Sequence, residues 1–214
     1  MTRDPAAARA AFLEAGVFLA RLADEVEELD EAAEDSLWER PALGSWDLRA
    51  LLGHAGRALS TLTAYLDRPA AAEECTGTGH YYALAASADP QEVAARGTAA
   101  GRELGPEPAA AVRAALEAAR EALARVPLEQ DPLIRTPFGG ARLRTYLPTR
   151  TFELAVHGLD VAAACGLDRT PPDHVLADTA LTLAEIAAER GRVPELLQAL
   201  TGRRSLPPGW SLLG

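Results

Sequence analysis

The sequence contains no lysine: all 21 of its basic residues are arginine. That excludes Schiff-base chemistry and a lysine general base. Aromatic residues make up only 5% of the chain, and there are two cysteines, Cys75 and Cys165. Two cysteines can pair once, but they do not make a disulfide framework. No apolar run approaches the roughly 18 residues that a membrane-crossing helix needs. The opening Met1-Thr2-Arg3-Asp4-Pro5 is polar with no apolar run behind it, so no signal peptide is expected. β-branched residues are sparse and alternating apolar–polar runs are few, which leaves little room for sheet.

What is abundant is Ala, Leu, Glu and Arg, a helix-forming set. The expectation is an all-α protein of one domain over residues 1–214. The net charge is −10, and an acidic surface argues against nucleic acid or an anionic membrane as partner. A soluble, cytoplasmic protein acting on a small molecule is expected, with a homodimer left open.

Asp4-Pro5 reads as a helix start, an N-cap followed by proline at the first helical position. The apolar spacing of Phe12, Leu19, Leu22, Val26 and Leu29 predicts a helix over 5–33. Ser45 is the expected N-cap of a second helix, 46–66, with Leu48, Leu51, Leu52, Leu59 and Leu62 on its apolar stripe. Residues 67–88, which hold Cys75 and His80, read as a loop. Helices follow over 90–104 and 107–125. Residues 126–148 are rich in Pro and Gly and read as a connection of unusual length. A charged helix ends at Cys165-Gly166, a further helix spans 171–189, and a short segment covers 196–200.

The charged helix is the chemical centre of the sequence. At about 100° per residue, Arg150, Glu153, His157 and Asp160 fall within an arc of roughly 80°. Phe152, Val156 and Leu159 flank this stripe on one side, and Leu154 and Val161 on the other. Small residues, Thr151, Ala155, Gly158 and Ala162, occupy the opposite side. Glu at i and His at i+4 leave one face a turn apart and can hold one metal ion. Alternatively the stripe is a solvated face, with the small residues packed on a neighbouring helix. His54, at the edge of the second helix's apolar stripe, reads either as a hydrogen-bonded core histidine or as a third ligand. A histidine facing a Glu/His pair across a bundle is one way metal sites are built inside bundles.

Three blocks together resemble a known family. Pro41-Ala42-Leu43-Gly44-Ser45-Trp46-Asp47-Leu48-Arg49-Ala50-Leu51-Leu52-Gly53-His54 is similar to the second-helix signature of the mycothiol-dependent maleylpyruvate isomerase family, within the DinB-like superfamily. Arg150-x-x-Glu153-x-x-x-His157-x-x-Asp160 resembles its second signature. Ala199-Leu200-Thr201-Gly202-Arg203 with Leu206-Pro207 resembles its C-terminal segment. In this chain Asp47 follows Trp46 directly, which shifts the first signature's spacing but keeps its final histidine. The resemblance implies a DinB-like four-helix bundle with additional short helices and a long connection before the metal-binding helix. It implies that His54, Glu153 and His157 hold Zn²⁺ or another divalent metal. Asp160 then orients a ligand imidazole, and Arg150 pairs with Glu153 or Asp160 or meets an anionic substrate.

Three protein ligands leave a fourth position open, the pattern of a catalytic rather than a structural site. The implied activity is that of an isomerase or S-transferase, with mycothiol or a similar thiol as cosubstrate. Arg135, Arg142 and Arg144 are further candidates for holding an anionic group. The competing readings are a metal-dependent hydrolase with Asp160 as base, and a metal-binding bundle with a regulatory or structural role.

Overall fold

The computed structural model describes residues 3–213. Helix α1 (Pro5–Glu31) starts where Asp4 accepts a hydrogen bond from the Ala7 amide at 2.8 Å. Its Phe12, Leu19, Leu22 and Val26 are fully buried. A small hairpin, β1 (Pro41–Leu43) paired with β2 (Trp46–Asp47), follows. It delays helix α2 (Leu48–Leu66), whose N-cap is Asp47 rather than the expected Ser45. Pairing of Trp46-Asp47 back onto β1 keeps those two residues extended, and the Asp47 carboxylate then takes the Ala50 amide at 2.7 Å.

The expected loop over 67–88 contains a helix, α3 (Thr78–Ala85). Thr78, Gly79, Tyr81 and Tyr82 are all buried, so this helix shows no one-sided apolar stripe. It lies against the later helices of the chain, so close that a Cβ on Gly79 would come within 2.4 Å of the Glu185 carbonyl oxygen. Helices α4 (Pro90–Glu103) and α5 (Pro108–Ala124) follow.

The long connection also carries structure. Strands β3 (Leu133–Thr136) and β4 (Gly139–Arg142) form a second antiparallel hairpin, and the charged helix α6 (Leu143–Ala164) begins directly from it. That helix starts before Pro148, which lies inside its N-terminal part. Helices α7 (Asp173–Glu189) and α8 (Val193–Leu200) complete the order.

Helices α1, α2, α5 and α6 form the central bundle, with α1 and α2 each packed on α5 and α6. Helix α4 lies along α2, while α3 and α7 lie on α6. One continuous apolar core joins these elements, with Phe12, Leu19, Leu52, Leu59, Tyr146 and Leu154 among its fully buried side chains. The molecule is mostly helical, as the composition predicts, and the two short hairpins are additions to that plan. Among the described residues no helix is long and apolar enough to cross a membrane.

Candidate metal centre

Helix α6 is buried on two sides, and that is what sets its charged stripe. Thr151, Ala155, Gly158 and Ala162 face the core, where a Cβ on Gly158 would come within 2.7 Å of the Phe18 ring of α1. The small residues therefore pack on a neighbouring helix, as one sequence reading expects. The charged stripe is nonetheless not left to solvent. Arg150, Glu153, His157 and Asp160 are all partly buried. The tyrosines of α3 and His54 of α2 stand against this face.

The structure brings His54, Glu153 and His157 together. One carboxylate oxygen, Glu153 Oε2, lies 3.9 Å from His54 Nε2 and 3.4 Å from His157 Nε2. One ligand atom from each residue falls within 4.8 Å of the others. Tetrahedral ligands at about 2.0–2.2 Å from one ion stand roughly 3.3–3.6 Å apart, so closure of at most about 1.5 Å is needed. The donor set, two imidazoles and a carboxylate, suits zinc and several other divalent ions.

The two histidines are held differently. His157 Nδ1 lies 3.0 Å from Asp160 Oδ2, which points Nε2 toward Glu153. His54 stacks on Trp46, with ring centroids 4.4 Å apart, and its buried Nδ1 has no hydrogen-bond partner among the described residues. Trp46 is fixed in turn by its Nε1 donating to the Ala94 carbonyl of α4 at 2.9 Å. The rings of His54 and His157 meet edge to face, with centroids 4.9 Å apart.

Protonation follows these surroundings. Burial and then the neighbouring His157 charge push His54 down to about 4. Burial also lowers His157, but its hydrogen bonds with Asp160 and Glu153 outweigh that and raise it to about 9. Burial raises Glu153, while the hydrogen bond from His157 and the charge of Arg150 bring it down to about 2. At neutral pH the metal-free site thus holds a neutral His54, a protonated His157 and an ionised Glu153. The proton on His157 Nε2 occupies the direction in which that nitrogen would offer its lone pair to an ion.

Arg150 pairs with neither Glu153 nor Asp160. Its guanidinium sits 4.8 Å from the Tyr146 ring centroid and 5.5 Å from that of Tyr81, and its Nε donates to Thr149 Oγ1 at 3.0 Å. Among the described residues, no carboxylate forms an ion pair with it.

The tyrosines are what the sequence reading misses. Tyr81 and Tyr82 stand side by side in a chain poor in aromatics, and that pairing was the available signal. Tyr82 donates to Glu153 Oε1 at 2.9 Å.

The remaining candidates lie elsewhere. Arg142 pairs with Glu73 and Arg144 with Asp131, and Arg135 is exposed on β3. Cys75 is buried with its thiol toward the Gly77 carbonyl, and both cysteines are free. His80 turns toward Thr76. It lines a cleft of about 760 Å³ that also includes Arg3, Arg9 and Arg144 but none of the three grouped residues. There Arg3 is paired with Asp178 and Glu185, Arg144 with Asp131, and Arg9 donates to the backbone carbonyls of Leu123, Val126 and Pro127.

Residues 16–162 match the family model described as the mycothiol maleylpyruvate isomerase N-terminal domain. The chain belongs to that family. The match covers well over half of the chain and contains His54, Glu153 and His157. No curated protein and no solved structure matches the chain. The matched segment thus carries the two histidines and the glutamate that could hold a metal ion.

Proposed function

We propose that the chain is a divalent-metal-dependent enzyme of the thiol-dependent isomerase or S-transferase type. The observation that carries this reading is the convergence of His54, Glu153 and His157, three ligands rather than four, in a chain of this family. A bound Zn²⁺, or another divalent ion, supplies a Lewis acid that lowers the pKa of a thiol meeting it. Mycothiol or a similar low-molecular-weight thiol is the cosubstrate. Its S–H proton is given up, its sulfur adds to an electrophilic carbon of an unsaturated small molecule, and the π electron pair that is displaced to the far end of the double-bond system takes up a proton. The thiol leaves again in an isomerisation and stays attached in a transfer.

The chain's own residues supply the rest. Asp160 holds His157 in the tautomer that frees Nε2. That engagement disfavours Asp160 as the general base of a metal-dependent hydrolase. Arg150, a partly buried cation in no ion pair among the described residues, is placed to take an anionic group of the reacting molecule. The rings of Tyr81 and Tyr146 stand against Arg150, and that of Trp46 against His54.

The test is metal content of the purified protein beside His54→Ala and His157→Ala, followed by thiol-dependent consumption of an electrophile. About one equivalent of metal in the wild type, near none in either variant, and turnover that requires both metal and thiol are expected. A wild type that takes up no Zn²⁺ on reconstitution removes the enzyme reading. Metal uptake without thiol-dependent turnover points instead to the metal-binding bundle.

A further inference from the structure

Glu153 has two oxygens, and the structure gives them different neighbours. Oε2 faces both imidazoles, at 3.4 Å from His157 and 3.9 Å from His54. Oε1 turns the other way and accepts the hydroxyl of Tyr82 at 2.9 Å. The same hydroxyl lies 3.2 Å from the Thr149 carbonyl, one turn earlier on α6. A phenol with its ordinary pKa near 10 is a donor throughout the neutral range.

Tyr82 has little freedom to leave this position. It is 7% exposed and packs edge to face on Phe152, with centroids 5.3 Å apart, and on Tyr81 at 5.8 Å. Its helix is pinned from behind by the contact of Gly79 with the α7 backbone. The donor is therefore fixed by the fold, and Glu153 turns its other oxygen to the histidines.

We propose that Tyr82 is a positioning residue that restricts Glu153 to one-oxygen ligation and so keeps a coordination position open for the thiol. The proposal rests on the metal reading above. A carboxylate binding through both oxygens would complete four protein donor atoms with His54 and His157, and would close the site in the manner of a structural centre. A carboxylate with one oxygen committed to Tyr82 leaves three donors and a vacancy. Tyr82 acts through Glu153 and does not itself touch the reacting atoms.

Co²⁺ reports coordination number through its visible absorption, intense when four-coordinate and weaker when five-coordinate. The experiment loads the full-length wild type and Tyr82→Phe with Co²⁺. Each spectrum is then recorded before and after titration with 2-mercaptoethanol. The wild type is expected to give the intense band and a sulfur-to-cobalt charge-transfer band on adding thiol. Tyr82→Phe, with the second carboxylate oxygen as its fourth donor, is expected to keep the intense band of a four-coordinate ion and to lose the charge-transfer band on adding thiol.

Identical spectra and thiol titrations in the two proteins overturn the role of Tyr82 while leaving the metal site standing. A wild type that binds no Co²⁺ overturns the metal reading itself, and this proposal with it. Should Tyr82→Phe fail to fold, X-ray absorption on the Zn²⁺-loaded wild type decides. A long zinc-to-carboxyl-carbon distance, as a carboxylate bound through one oxygen gives, supports the proposal, and the short distance of a carboxylate bound through both oxygens overturns it.

Discussion

The two histidines share one carboxylate oxygen yet differ widely in proton affinity. His157 has Asp160 behind it, whereas His54 has only an indole face and an unpartnered Nδ1. In the metal-free protein His157 titrates at about 9, against an ordinary value of 6.5. The folded state holds that proton more tightly than the unfolded chain does. Its contribution to stability is therefore full below pH 6.5 and is lost as pH rises through about 9. His54 works in the opposite sense: its lowered value means that stability is lost as pH falls from 6.5 toward about 4.

Thermal melting of chelator-treated wild type and His157→Gln checks this. The wild type is expected to melt higher near neutral pH, with the gap closing as pH passes about 9. A gap independent of pH contradicts the assignment. Asp160→Asn is expected to weaken Zn²⁺ binding by about 10- to 100-fold, read by competition with a chromophoric chelator. Unchanged affinity would leave Asp160 without a part in the site. These residues were legible in the sequence because helical spacing alone places Glu153, His157 and Asp160 on one face. The asymmetry between the histidines was not, since it depends on Trp46 and α4, which are distant in sequence.

Among the elements, the crossing of α2 and α4 determines where His54 stands. The residue before it, Gly53, meets α4 backbone to backbone: a Cβ there would lie 2.3 Å from the Gly101 nitrogen and 2.5 Å from the Ala100 carbonyl carbon. Backbone cannot yield as a flexible side chain does, so Gly53→Ala must push the helices apart. A loss of about 1–3 kcal/mol is expected from the overpacking, together with weaker metal binding as His54 shifts. Gly56 on the same helix is the control, because its Cβ would meet nothing closer than Val112 Cγ2 at 4.0 Å. Gly56→Ala is expected to gain about 0.5–1 kcal/mol and to leave metal affinity unchanged. Urea denaturation with metal titration of both variants distinguishes them, and equal effects would sink the argument.

The amphipathic helices α1, α2, α5 and α7 could be read from their spacing. Helix α3 could not, because its residues are buried or half-buried on every side and leave no stripe to betray it. The start of α6 was hidden by Pro148, which removes a backbone donor and usually marks a helix boundary. The hairpin of β3 and β4 was hidden by its Pro137-Phe138 turn and by Gly139-Gly140 at the start of β4, which together read as loop. What the sequence placed poorly is thus the ground between stripes, and that is where Tyr81 and Tyr82 lie.

At the scale of the whole molecule, the question is whether an ion held by His54, Glu153 and His157 would support the fold or the fold would support the ion. The apolar core runs through α1, α2, α5 and α6, and its largest fully buried side chains, Phe12, Leu19, Leu51, Leu59 and Leu62 among them, owe nothing to an ion. In the metal-free state His157 and Glu153 form their own charged hydrogen bond, so emptying the site does not leave bare like charges facing one another. A small domain that lacks a core behaves differently: its ion is its folding energy, and a chelator unfolds it. Here removal of the metal with a chelator is expected to leave the far-ultraviolet helical signal intact. The melting temperature should then rise with added Zn²⁺ as mass action requires, by about 2.7 kcal/mol of stability at a free concentration 100 times the dissociation constant. Loss of helix on chelation would mean that the ion is structural. The open position that the thiol chemistry needs would then have to be sought elsewhere. Retention of helix, with reversible loss of thiol-dependent turnover, is what a bundle built to carry an exchangeable centre should show.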